Sequence, residues 1–320
     1  MTDAQPTPPR TATAELLVEL QDLKRIAPAG VRYSLADELF VRAWQDVLRG
    51  HDWNTVADLT TALAVLYVLF PGVDATFFQA AQLSPGAIEE VCTNAFHRTL
   101  ADRVSSATQE RLERQLPHLI QSLSGAGAQE KSQAETTELP DALQRLRDQP
   151  RAGATHPDHP RLVLLPPESH ADHCLMTAVY AALHAEEYGA APGDAFVCGL
   201  AHHLHNAFLP DCGWAGELAL EPYLQQVIDN CRAAALSEFD PELRDRLREV
   251  LRHHETIATP AGKAISAGDV LDRVLDVKWR VRAAGVTEAK ILGELDLVHP
   301  GPLKDFQTDL LNETELWRTH

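Results

Sequence analysis

An all-α fold is predicted by three features of the sequence. Apolar residues recur at three- and four-residue intervals along most of the 320 residues, the period of a helix with one buried face. These runs are opened by Ser, Asp or Pro and closed by Gly or Pro, the usual helix boundaries. No stretch of the first half alternates as a strand does, and the second half has neither a Gly-rich phosphate loop nor a strand–turn–helix unit for a dinucleotide. The expected architecture is a helical N-terminal domain (1–123), a linker (124–138) and a second helical domain (139–320).

Residues 1–10, rich in Pro and Thr, read as disordered. Leu16, Leu17, Leu20 and Leu23 then predict a helix from Thr13 to about Ile26. Ser34 is placed to cap a helix whose apolar face carries Leu35, Leu39, Phe40, Ala43, Trp44, Val47 and Leu48, with Gly50 closing it. A third helix is expected from Asn54 to Phe70, stopped by Pro71-Gly72. Ser84-Pro85 opens another pattern that continues to about Leu123, broken near Pro117. The aromatic residues Trp44, Trp53, Tyr67, Phe77 and Phe78 read as core. No chemistry is apparent in residues 1–120, where His51, His97 and His118 are isolated.

Ser124 to Glu138 has the small, polar composition of a linker. A short helix from Leu139 to Arg147 and a loop to Pro167 follow. Further helices are expected at Ser169–Tyr188, Pro192–Ala207, Glu217–Leu236, Pro241–Thr256 and Pro260–Ala284, each bounded by Gly, Pro or an Asp/Ser cap.

A net charge of −18 argues against a nucleic-acid or membrane-surface binder, whose footprint is a basic patch. It leaves room for a small phosphorylated molecule held by local cations and a metal. The five cysteines are scattered without a Cys-x-x-Cys pair, which reads as reduced thiols in a cytoplasmic protein. The N-terminus has no signal-peptide pattern. The longest apolar run, Leu59 to Phe70, falls short of the roughly 20 residues that span a bilayer.

Histidine is the informative residue. Eight of the fifteen lie between His156 and His205, and three fall within His202-His203-Leu204-His205. Imidazoles cluster for metal ligation or proton transfer, although loose histidines at a polar helix end are also common. On a continuous helix His202 shares a face with His205 and Asn206, and His203 points about 100° away. Three other segments offer matching ligands: His170-Ala171-Asp172-His173, Arg252-His253-His254-Glu255, and the stripe Asp269, Asp272, Asp276.

The order of these segments resembles the HD metal-dependent phosphohydrolase superfamily, which sets a His on one helix, a His-Asp pair at the end of the next and an Asp on a later one. His173-Cys174 is similar to the first element, Leu200-Ala201-His202-His203 stands where the His-Asp pair would be, and Asp269 looks like the final Asp. His253-His254-Glu255 is similar to the His-His-Glu of the branch that opens cyclic dinucleotides, but that branch's Gly-Tyr-Pro is missing. The resemblance covers about residues 165–285. It implies an HD-like helical bundle in the C-terminal half, with His173, His202, His203 and Asp269 as metal ligands.

His203 is the departure. A carboxylate there can bridge two metals, whereas a neutral imidazole binds one and softens the ligand set toward zinc, iron, nickel or copper and away from magnesium. The cofactor expected is one divalent transition metal (manganese, iron, zinc or nickel), or none if only the scaffold remains. With metal, the chain would hydrolyse a nucleotide or other small phosphoester through an activated water. His205 and His254 are candidates to protonate the leaving oxygen, and Lys263 and Arg273 for phosphate contact, against the plainer reading of a solvated helix surface. Asp272 and Asp276 read as a solvated stripe or as partners of Arg280. His156, His159, His184, His299 and His320 read as surface residues. The alternatives are a non-catalytic HD-like scaffold for a protein partner and a metal oxygenase on the same frame. Paired all-α domains often dimerise, so a homodimer is the oligomer to test.

Overall fold

Short polar side chains begin seven of the described helices. Ser34, Asp52, Asp74, Ser84, Ser105, Ser169 and Asp240 each accept a backbone N–H from the first helical turn, a contact that stabilises a helix by about 1 kcal/mol. The computed structural model describes residues 10–124, 138–284, 287, 289–294 and 297–316. Its helices are α1 (Arg10–Leu20), α2 (Leu35–Leu48), α3 (Trp53–Leu69), α4 (Ala75–Ala81), α5 (Pro85–Leu100), α6 (Ser106–Glu113), α7 (Leu116–Leu123) and α8 (Asp141–Asp148). They continue with α9 (His170–Tyr188), α10 (Pro192–Ala201), α11 (Gly213–Ala219), α12 (Leu224–Leu236), α13 (Pro241–Leu251), α14 (Pro260–Ala284) and α15 (Lys304–Glu313). The fold is all-α, as the periodicity predicts. None of the described helices is long and apolar enough to cross a membrane.

Where the structure differs from the expectation, the cause is local. Residues 154–162 form an antiparallel hairpin, β1 (Ala154–His156) and β2 (His159–Leu162), instead of a loop. Strands this short show too few alternations to register as a period of two. The segment after Pro85 breaks at Ala101–Ser105, where Asp102 takes a left-handed conformation (φ 57°) and Ser105 caps the next helix. The break expected near Pro117 is present, with α6 ending at Glu113 and Pro117 in the first turn of α7, where a proline needs no N–H partner. The helix expected at 217–236 is two, separated by a turn that contains Pro222. The helix expected to run to Ala207 ends at Ala201 and passes into a tight 3-10 turn, Leu204–Ala207.

Helix α9 is the axis of the molecule, buried on every side from His170 to Ala185 and packed against α2, α3, α10 and α14. Two glycines set the approach of its neighbours. A Cβ at Gly199 of α10 would lie 2.6 Å from the Ala178 Cα, and one at Gly268 of α14 would lie 2.6 Å from the Thr177 carbonyl oxygen. Both contacts are to backbone, so neither can yield by a rotamer change. Gly199→Ala is therefore expected to destabilise the chain by about 1–3 kcal/mol through overpacking, despite the ~1 kcal/mol that alanine gains in a helix. A raised urea midpoint would show that α9 and α10 are free to move apart.

Most of the linker expected at 124–138 lies outside the described residues. On either side of it, buried side chains from Ala14 to Leu316 form one continuous hydrophobic cluster. Trp44 of α2, for example, packs against Phe239, which precedes α13, with ring centroids 5.5 Å apart. Leu16, Leu17, Leu20 and Leu23 pack into the same core as α9 and α14, so the N-terminal helices lie against the histidine-bearing ones.

Candidate metal centre

The close packing of α9, α10 and α14 brings distant ligand residues to one point. Ser169 opens α9 with a capping box shared with Asp172, which fixes the first turn and with it His170 and His173. His202 follows the last residue of α10. Because the helix stops there, His203 turns toward His202 and away from the opposite face, and the two ring centroids are 4.2 Å apart.

Each of the three rings has its Nδ1 on an acceptor. His173 Nδ1 is 2.7 Å from Asp272 Oδ2, His202 Nδ1 is 2.7 Å from the Gly199 carbonyl, and His203 Nδ1 is 2.7 Å from Asn206 Oδ1. Asn206 Nδ2 donates to the Leu209 carbonyl, which orients the amide oxygen toward His203. A neutral imidazole that donates from Nδ1 keeps its lone pair on Nε2. His173 Nε2 and His202 Nε2 face each other across 3.2 Å. Two nitrogens that each stand 2.0–2.1 Å from a common metal are separated by about 3.0–3.4 Å. One ring nitrogen from each of His173, His202 and His203 lies within 4.8 Å of the other two, a grouping that could hold a metal ion.

Asp269 of α14 lies beside this grouping, with Oδ1 3.3 Å from His173 Nε2 and Oδ2 3.3 Å from Arg273 Nη2. Burial alone would raise its pKa, but the Arg273 guanidinium beside it outweighs burial and holds it well below the usual carboxylate range. Burial is the leading cause that pushes His202 and His203 well below the ordinary imidazole value. His202 and His203 are thus held as neutral imidazoles beside an ionised Asp269, the protonation states that bind a metal. All three Nδ1 atoms have the outer partners that orient metal-bound histidines.

The site opens onto a cavity of about 200 Å³ whose wall carries His202, His203, His254 and Asp269, with Arg151 and Arg273 beside them. Of the other residues expected to act here, Arg273 and His254 are on this wall. The His254 ring lies 5.2 Å from that of His202, and burial keeps it neutral. His205 is behind the wall, its ring 5.6 Å from His203 and its Nδ1 buried without a partner. Lys263 is exposed and lines no part of the cavity. His184, expected on the surface, is 4% exposed.

Asp272 is the largest departure from the sequence reading. It is not a solvated residue but is fully buried, receiving His173, Gln21 Nε2 at 2.6 Å and Lys24 Nζ at 2.7 Å. With Glu168 and His173 it forms a second grouping whose atoms lie close enough to hold a cation, and the Lys24 ammonium stands there, paired with both carboxylates. Asp276 pairs with Arg280 at 2.6 Å, as expected, and also with Arg25, whose guanidinium stacks 4.0 Å over Trp279. Gln21 and Lys24 carried one legible signal: they continue the buried face of Leu17 and Leu20 at four-residue spacing. No protein-family model, curated protein or solved structure matches this chain.

Proposed function

We propose that this chain is a metal-dependent phosphohydrolase acting on a small phosphoester, as its resemblance to the HD superfamily implies. One observation carries the reading: three imidazoles with their outer N–H groups committed turn their remaining nitrogens toward one point beside the Asp269 carboxylate. His173, His202, His203 and Asp269 would hold the ion. A divalent transition metal bound there supplies an activated water and a Lewis acid for a phosphoryl oxygen. Arg151 and Arg273 present guanidinium donors to a phosphate in the cavity. The wall carries these two cations against the carboxylates of Asp211, Glu217 and Asp269, so a divalent ion is what makes the site attractive to an anion. His254, held neutral by burial, is placed to accept a proton from the nucleophile. This differs from the leaving-group acid that the sequence alone suggests.

One contact favours a second reading, the non-catalytic scaffold. Arg151 Nη1 lies 3.4 Å from His203 Nε2, so a guanidinium competes for that lone pair. Elemental analysis of the untagged protein separates the two. The enzyme reading expects about one transition metal per chain, with metal and hydrolysis of p-nitrophenyl phosphate both lost in His202→Ala while the far-UV helical signal stays. No metal in the wild type, even after incubation with manganese, zinc or iron, leaves the scaffold.

A further inference from the structure

Resting on the metal site above, we propose that Lys24 is a positioning residue for the metal ligand His173, acting through Asp272. The His173 ring can present Nε2 to a metal only while its Nδ1–H has a fixed acceptor on the opposite side. That acceptor, Asp272 Oδ2, is 2.7 Å away. A carboxylate on a single anchor swivels about its terminal bond. Asp272 is held at both oxygens by the turn that follows α1: Gln21 Nε2 donates to Oδ1 at 2.6 Å, and Lys24 Nζ lies 2.7 Å from each oxygen. Lys24 is anchored in turn by Glu168, the residue just before the Ser169 cap of α9. The chain of contacts therefore closes on itself, from Lys24 through Asp272 and His173 along α9 to Glu168 and back to Lys24.

The Lys24 side chain is only 2% exposed, and burying an ammonium is costly unless it is paired. A leucine would fill the same space in a core built from Leu17, Leu20 and Leu23 without that cost. What a leucine cannot do is fix a carboxylate plane. Nor can it fill the place among Glu168, His173 and Asp272 whose ligand atoms lie close enough for a cation. With the ammonium in that place, His173 faces a metal by Nε2 alone. The N-terminal helices thus supply a working part of the centre.

Cobalt(II) titration followed by its visible d–d spectrum tests this. Lys24→Met is expected to weaken Co(II) binding about 10–100-fold, the usual effect of losing an outer-shell partner, and to change the spectrum. Lys24→Arg is expected to restore most of the affinity. Arg111→Met is the control for general damage, because Arg111 joins Asp58 to the Ala182 carbonyl at the far end of α9 and touches none of these groups. It is expected to keep the wild-type affinity and spectrum. If Lys24→Met does not fold, Gln21→Leu removes a donor from the same carboxylate without changing the charge and should still weaken binding. The proposal is overturned if the Lys24 and Gln21 variants bind Co(II) as the wild type does, or if Arg111→Met weakens binding equally. Either result would leave the metal site itself standing. Failure of the wild type to bind Co(II) would remove both.

Discussion

Replacing Asp272 with alanine is expected to destabilise the protein by about 3–5 kcal/mol, the range for breaking a buried ion pair by removing one partner. Three buried donors, Gln21 Nε2, Lys24 Nζ and His173 Nδ1, converge on this one carboxylate. Burial by itself would raise the Asp272 pKa, but Lys24 and His173 outweigh it and bring the group down to about 2, so it is ionised throughout the physiological range. Removing it leaves an ammonium with only Glu168 and an imidazole N–H with no acceptor. A double-mutant cycle identifies the source of the loss. Lys24→Met combined with Asp272→Leu should cost less than the sum of the two single changes, by more than about 1 kcal/mol, because the second change removes the charge that the first strands. Urea midpoints of the four proteins measure this. Additive losses would mean that Lys24 and Asp272 are each stabilised by other groups and that the pairing adds nothing.

That network also shows what a sequence can and cannot disclose. Caps such as Ser34, Ser84 and Ser169 act within three residues, so the starts of α2, α5 and α9 could be read directly. His173, His202, His203 and Asp269 stood out because ligand types recurred in a familiar order on successive helices. The partners of Asp272 lie 248 and 251 residues away, and nothing in the local pattern of Gln21 and Lys24 names them. A lysine on a leucine-rich face reads as a charged residue at its margin, yet here it is inside. The end of α10 was hidden for a different reason. Leu200 to Ala207 continues a helical pattern, and it is the contacts of His202 with Gly199 and of His203 with Asn206 that accompany the tight turn. Lys263 illustrates the reverse error, since charge alone made it a candidate and its position on the exposed side of α14 separates it from the cavity.

The metal-free protein should lose stability steeply between pH 7 and pH 5. Burial is the leading cause that pushes His170 to about 3 and His205 to about 4, and it also lowers His202, His203 and His254 from 6.5. Below pH 6.5 the unfolded chain takes up protons at these positions and the folded chain does not. Their contribution is therefore complete above 6.5 and is lost as the pH falls toward the folded values. A histidine kept neutral in the fold contributes about 2 kcal/mol of that loss between pH 7 and pH 5. Carboxylates pushed upward by burial, Asp172 and Glu217 among them, act in the opposite sense, so the observed slope will be shallower than the histidines alone would give. Adding a metal ion at pH 7 should raise the urea midpoint and steepen the acid loss, because the ion binds the neutral imidazoles that protons compete for. Urea midpoints of chelator-treated protein at pH 7, 6 and 5 test the first part. A flat or rising stability across that range would mean that the folded cluster takes up protons as readily as the unfolded chain, and the reading of His202 and His203 as neutral imidazoles would have to be abandoned.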